Sequence, residues 1–292
     1  AVARTPSGAG VQHAVDHQPG ADVLQLAGPA RALVAAGGGV VGGEDDLGLE
    51  VGPGDEDHAV IFAIAADARG LRQICREPYT LDGSRSSFDH PLSTRFEEND
   101  ALLVFNDVFV PWDRVFCYRN VKAAAEMYPR TSIRNHTAYQ TNIRALAKMQ
   151  LATGLAMAVA RATGADSFLH VQQMLGECVC FVEHLKSGLA RAEAEAERLP
   201  SGSWRPALAP LHNLRIMMAS AYPRVIEVLQ TIGAGGFMLM PSGADFAVPE
   251  LAGDTGKYYC GAKLSSLDRV RLFKLAWDLA GEAFGQRLVQ YE

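Results

Sequence analysis

No phenylalanine, tryptophan or tyrosine occurs between Ala1 and Ile61, and no lysine occurs before Lys122. A segment so poor in bulky side chains has little surface to bury against its ordering entropy. The five cysteines form no CxxC pair, which excludes a thiol-pair redox motif and suits a reducing compartment. Cys178 and Cys180 are two apart on an expected helix, so they point to different faces and should not pair. With a net charge of −6 and no basic cluster interleaved with aromatics, the chain does not read as a nucleic-acid binder. GxSxG, HExxH and P-loop motifs are missing as well. No charged-then-apolar leader opens the chain, and no uncharged apolar run is long enough to span a bilayer. The expectation is a cytoplasmic protein without a membrane or nucleic-acid partner.

What is present divides the chain into three. At 292 residues and 48% hydrophobic content there is room for two domains with buried cores. Residues 1–56 are rich in Gly, Ala and Val and end in an acidic Gly/Pro stretch, GGEDDLGLEVGPGDEDH. Three readings stand: a weakly structured lead-in, a few irregular strands completed by the rest of the chain, or sequence outside the natural reading frame. Residues 57–128 read as part of a β domain. AVIFAIAA and LRQICRE are short strand-like runs, PYTLDGSRSSFDHPLSTRFEEND is a loop, and ALLVFNDVFV is a strand ended by Pro111. Residues 129–292 switch to helical periodicity.

Four helices are expected there. The first places Tyr139, Ile143, Ala147, Leu151, Leu155 and Val159 in one stripe at every fourth position. The second, capped by Asp166, places Phe168, Val171, Leu175, Cys178, Val182, Leu185 and Leu189 along a bundle seam. The third runs from about Ala207 to Ile232 with Pro223 as a kink or restart. The fourth follows a Ser265-Ser266 cap and carries Val270, Phe273, Trp277, Ala280, Phe284 and Tyr291. The fold class is therefore α+β and mostly α, a partial β domain followed by a four-helix bundle.

Three features exceed packing. Ser132-Ile-Arg-Asn-His136 opens the first bundle helix, where the N-terminus and Arg134 would attract an anion and His136 could act as a base. The plain alternative is that Asn135 and His136 only cap the helix. Gln230-Thr-Ile-Gly-Ala-Gly-Gly236 ends the third helix, and its glycines permit close backbone approach to a ligand. A glycine C-cap would account for one of them. Gly281-x-x-x-Gly285 permits another helix or a flat ligand to come close, with helix contact the simpler cause. His170 and His184 have no Cys or carboxylate at metal-ligand spacing and read as surface or polar-network residues; no metal site is expected.

DHPLSTRFEENDALLVFNDVFVPWDRVF resembles the signature of the flavin-dependent 4-hydroxyphenylacetate 3-hydroxylase family, large component, which also takes in pyoverdine-type and chlorophenol monooxygenases. The resemblance continues through NHTAYQTNIRALAKMQLATGLA, GAGGFMLMPSGADF and RVRLFKLAWDLAGEAFGQRLVQYE, from about Asp57 to Glu292. It implies an acyl-CoA-dehydrogenase-like fold in a homotetramer or dimer. It also implies FAD, used as FADH2 from a separate flavin reductase. With O2 as co-substrate, this would hydroxylate a small phenol through a C4a-hydroperoxyflavin. By position, His136 resembles the base of the chlorophenol branch, and Arg134 and Gln140 resemble flavin-holding residues. Gln230, Gly233, Gly235 and Gly236 resemble the turn that receives the dinucleotide portion across a subunit interface, and Phe284 and Gly285 join the cofactor set. The helical domain that precedes the β domain in such proteins, with its substrate contacts, has no counterpart here, and neither do the first flavin-facing loops. A non-catalytic oligomerising fragment is thus a second expectation. A third, a 4-hydroxybutyryl-CoA dehydratase, requires a cysteine seven residues after His136, where Ile143 stands.

Overall fold

A computed structural model describes residues 23–26, 33–36, 39–40, 53–54, 56–79 and 85–290. Most of residues 1–56, together with Tyr291, lies outside these, so what was expected there can be followed only in part. The chain forms two compact units, residues 1–76 with 99–131, and residues 77–98 with 132–292.

The first unit is built from short strands. These are β1 (Val23–Leu26), β2 (Leu33–Ala36), β3 (Gly39–Val40), β4 (Val60–Phe62), β5 (Leu71–Cys75), β6 (Ala101–Phe105), β7 (Val108–Pro111) and β8 (Val115–Tyr118). A four-stranded sheet runs in the order β3-β2-β4-β8, with β2 and β4 parallel and its other pairs antiparallel. Two antiparallel pairs, β1-β7 and β5-β6, complete the unit. Val60, Phe62, Ile64, Phe105, Val108 and Val110 form its core, with the Phe62 and Phe105 rings edge to face at 5.9 Å.

ALLVFNDVFV, expected as one strand, is two. Asp107 takes a positive φ of 53°, and the Asn106-Asp107 turn sends β6 to β5 and β7 to β1. Gly70, at φ +88°, lies so close to this turn that a Cβ there would stand 2.3 Å from the Asn106 carbonyl oxygen. Phe109 is exposed between buried Val108 and Val110, as strand alternation requires. Helix α2 (Val121–Thr131) closes this unit, preceded in sequence by a single helical turn, α1 (Ser93–Phe96), that belongs to the second unit.

The second unit is the bundle. Its helices are α3 (Ile133–Thr163), α4 (Leu169–Ala194), α5 (Leu208–Gly233), α6 (Pro249–Tyr258), α7 (Ser266–Ala280) and α8 (Ala283–Gln290), with a two-residue strand pair, β9 (Glu197–Arg198) and β10 (Trp204–Arg205), between α4 and α5. α4 buries Val171, Leu175, Cys178, Val182, Leu185 and Leu189, the expected seam. Phe168, however, is the exposed N-cap position, and Asp166 sits in the preceding turn with its carbonyl accepting from Gln172. α5 accommodates Pro223 without interruption.

The α3 stripe holds at its far end, where Leu155 and Val159 are buried, and is a correction before that. Ile143 and Leu151 are exposed, while Ala138, Asn142, Ala145, Met149, Ala152, Ala156, Val159 and Ala160 are buried. A strict spacing of four drifts around a helix of 3.6 residues per turn, and the buried face follows alternating threes and fours. Small residues on that face let α3 pack closely on α4, α5 and α7. Asn142 is buried among them, its amide nitrogen donating to the Ala138 and Leu211 carbonyls at 2.8 and 3.1 Å. Within Val121–Thr163 an 18-residue window is long and apolar enough to cross a membrane by composition. Under half of that window is buried, among it Ala145, Met149, Ala152 and Ala156 of the bundle core. The last expected helix is also interrupted, since α7 ends at Ala280 and α8 begins at Ala283. Ser265 caps α7 as expected, accepting from the Asp268 amide at 3.2 Å.

Candidate functional site

The expected site residues fall at two places in the helical unit. Ser132, buried and at φ 59°, breaks the backbone ahead of α3, and its carbonyl accepts from the Asn135 and His136 amides at 3.1 and 3.2 Å. The Asn135 side chain donates to the Pro206 carbonyl at 2.8 Å, so its role is to tie α3 to the segment before α5. Arg134, His136 and Gln140 remain exposed, without a side-chain hydrogen bond among the described residues. His136 and Gln140, one turn apart, share a face, and Arg134 projects from another. Beside them Tyr139 donates to the Glu193 carboxylate, and that hydrogen bond raises the phenol pKa above its ordinary value.

The second place is the end of α5. The Gln230 amide nitrogen donates to the Ala280 carbonyl at 2.6 Å, and Gln286 donates to the same oxygen at 2.9 Å. Two side-chain amides thus satisfy a carbonyl that the end of α7 leaves open. The three glycines differ sharply. A Cβ on Gly233 would stand 2.2 Å from the Phe237 ring and one on Gly236 2.9 Å from Phe273, whereas one on Gly235 would meet nothing within 4 Å. Packing accounts for the first two, and Gly235 presents open backbone. Between them Ala234 takes φ 44° and ψ −145°, a region that disfavours any residue with a side chain.

Next to this turn is a cleft of about 740 Å³ lined by Gly236, Met240, Asp254, Thr255, Tyr258 and Arg269, among others. The Arg269 guanidinium lies over the Phe273 ring, 5.0 Å from its centroid, and donates to the Tyr259 and Cys260 carbonyls at 3.4 and 3.3 Å. Sequence reasoning passed over Arg269 and the whole of α6, because each looks like ordinary amphipathic helix until folding sets it beside the glycine turn. Phe284 is buried, and a Cβ on Gly285 would stand 1.9 Å from the Leu279 carbonyl oxygen. Gly281 and Gly285 therefore let α8 fold back onto the end of α7.

These two groups are far apart on one chain. Asn135 and Asn142 fasten the start of α3 to the start of α5, while Gln230 lies 22 residues beyond Leu208. At 1.5 Å per residue that is about 33 Å along the helix.

A buried carboxylate was also missed. Asp278 is fully buried, and its Oδ2 accepts from the Leu92 and Ser93 amides at 2.7 and 2.9 Å. Its signal in the sequence is an acidic residue interrupting the apolar run FKLAWDLA.

The profile described as "4-hydroxyphenylacetate 3-hydroxylase C terminal" matches residues 124–292, and "4-hydroxyphenylacetate 3-hydroxylase N terminal" matches residues 48–117. The 4-hydroxyphenylacetate 3-monooxygenase oxygenase component of Thermus thermophilus is 40% identical over 239 residues, 82% of this chain and 49% of that protein. A crystal structure of an oxygenase component of 4-hydroxyphenylacetate 3-monooxygenase complexed with FAD superposes with a TM-score of 0.78 at 39% identity, covering 82% of this chain and 50% of the other. An archaeal 4-hydroxybutyryl-CoA dehydratase from N. maritimus superposes with a TM-score of 0.70 at 20% identity over 80% of this chain and 47% of the other, a likeness of fold alone. The fold is of the acyl-CoA-dehydrogenase type, and the chain spans about half the length of the curated relatives it matches.

Proposed function

The chain belongs to the 4-hydroxyphenylacetate 3-hydroxylase family, and from that premise we propose that it serves as the oxygenase component of a two-component, FADH2-dependent phenol hydroxylase. The relative solved with FAD supports the cofactor, and another solved with FAD and 4-hydroxyphenylacetate supports a small phenol as substrate. The observation that carries the reading is the contrast among the turn glycines, with Gly235 alone open to an incoming ligand.

The residues present fit a flavin if two copies share it. Arg134 and Gln140, exposed and unengaged at the start of α3, would hold one portion. The Gly235 backbone of a second copy, beside the cleft that Gly236 and Arg269 line, would receive the dinucleotide portion. A separation of about 33 Å along α5 keeps one chain from presenting both sets to the same part of one cofactor. Gln230 would act by fixing the turn through Ala280, and Gly233, Phe284 and Gly285 by shaping it. When bound, reduced FAD supplies, with O2, the electrophilic oxygen that the ring accepts. His136 would take the phenol hydroxyl proton, raising the electron density of the ring at the position attacked. Water must be kept from this chemistry, and assembly into a dimer or tetramer would cover the exposed start of α3. A separate reductase delivering FADH2, and a cytoplasmic location, belong to the same reading.

Anaerobic titration of the chain with photoreduced FAD tests it. Arg134→Ala and Gly235→Ala are each expected to weaken binding about tenfold or more. Absence of binding, or affinity unchanged in both variants, would contradict the assignment.

A further inference from the structure

Three side chains in the helical unit converge without satisfying one another. His90 lies in the segment before α1, Asp278 in the last turn of α7, and Glu282 in the break before α8. One ligating atom from each lies within 4.8 Å of the other two. We propose that His90, Asp278 and Glu282 form a binding site for one divalent first-row transition-metal cation, of the zinc or manganese kind. This proposal does not rest on the flavin reading.

The geometry favours a shared cation over a plain ion pair. His90 Nδ1 stands 3.1 Å from Glu282 Oε2, yet the two are not aligned as a hydrogen bond. Asp278 is fully buried, and while its Oδ2 takes two backbone amides, its Oδ1 has no partner. A buried carboxylate oxygen without a donor is costly, and a cation relieves that cost. Asp278 lies near the end of α7 and Glu282 in the break just after it, so the chain turns back there and brings both carboxylates to His90.

Metal–ligand bonds of about 2.0–2.2 Å set the ligand atoms of a tetrahedral ion about 3.3–3.6 Å apart. His90 Nδ1 and Glu282 Oε2, at 3.1 Å, already stand near that spacing, and the widest separation, within 4.8 Å, would close by about 1 Å on binding. One imidazole with two carboxylates suits zinc or manganese, with water completing the coordination. Two cations stand nearby. Arg85 Nη1 is 2.9 Å from Glu282 Oε2, and Lys274 Nζ is 3.2 Å from Asp89 Oδ1. Arg85 is about a third exposed and engages only that one oxygen, leaving Asp278 Oδ1 and Glu282 Oε1 clear of it. The bound ion would fasten the segment around His90 to the α7–α8 corner.

The test uses the whole chain, stripped with chelator and titrated calorimetrically with Zn2+ alone and with Mn2+ alone. One ion per chain is expected for at least one of the two metals, with a rise in Tm that chelator reverses. His90→Gln and Glu282→Gln are each expected to lower affinity at least tenfold. His170→Gln with His184→Gln, on exposed surface, serves as the control and is expected to leave it unchanged. Three results would overturn the proposal: no stoichiometric binding of either metal, binding that His90→Gln and Glu282→Gln leave intact, or loss of stability in Glu282→Gln with no metal bound by the parent chain. The last would mean that Arg85, Glu282 and His90 form an ion-pair network and nothing more.

Discussion

A methyl group fits at Gly235 and fits at neither Gly233 nor Gly236, a difference that composition could not reveal. All three glycines look alike as letters. Folding sorts them by setting Phe237 over one and Phe273 against another. Gly233→Ala should therefore cost about 1–3 kcal/mol through overpacking, whereas Gly235→Ala should stay within about 0.5 kcal/mol of the parent in chemical denaturation. The same logic separates the cysteines. Cys178 is fully buried, and burial pushes its thiol up to about 11, while Cys75, Cys180 and Cys260 are exposed. Relative to an ordinary thiol of pKa 9.0, such a shift leaves about a hundredfold less thiolate at pH 8. Iodoacetamide at pH 8 should label the three exposed cysteines in the native chain and spare Cys178 until denaturant is added; early labelling of Cys178 would show that this face of α4 is open. That Cys178 and Cys180 would diverge was readable from their spacing of two. That Cys178 would be the inward one followed from the seam it shares with Leu175 and Val182.

The elements were legible where periodicity was strong and blurred where one residue interrupts it. α5 appears almost at its expected bounds and α4 buries the expected seam, because their apolar residues alternate at three and four, although α4 stops at Ala194 rather than running on to Pro200. α3 exists where expected, but with its face turned ahead of Leu155. Its inner surface is largely alanine, so the larger Ile143 and Leu151 drew attention to the wrong side. Met149→Ala, which empties a fully buried site, should cost about 2–5 kcal/mol, whereas Leu151→Gln should shift unfolding of the isolated chain by about 0.5 kcal/mol or less. Equal costs would restore the stripe at every fourth residue. The splits at Asn106-Asp107 and Gly281-Glu282 escaped notice for a common reason. Each lies inside a run whose flanks continue the same pattern, and only a positive φ in one case and a two-residue break in the other divides it.

At the scale of the whole molecule, the sequence pointed to a β domain over residues 57–128 and a helical bundle over 129–292, whereas the compact units take residues 77–98 into the helical one. The candidate site was legible as a set of residues but not as an arrangement. Resemblance named Arg134, His136 and Gln140 together with the glycine turn, and nothing in one dimension says that α5 holds them about 33 Å apart. Asp278, Arg269 and α6 were illegible because their neighbours are distant in sequence, as in the 186 positions between Leu92 and Asp278. On the proposed reading a site divided in this way would draw on more than one copy, so flavin binding should fall as the chain is diluted below its association range. The most direct measurement is catechol formation. The chain is mixed with photoreduced FAD, oxygen and 4-hydroxyphenylacetate, and the products are separated by chromatography. The account predicts a dihydroxylated ring from the parent chain and much less from His136→Ala at equal flavin occupancy. Oxidation of the flavin with no catechol from this or any other small phenol would contradict it.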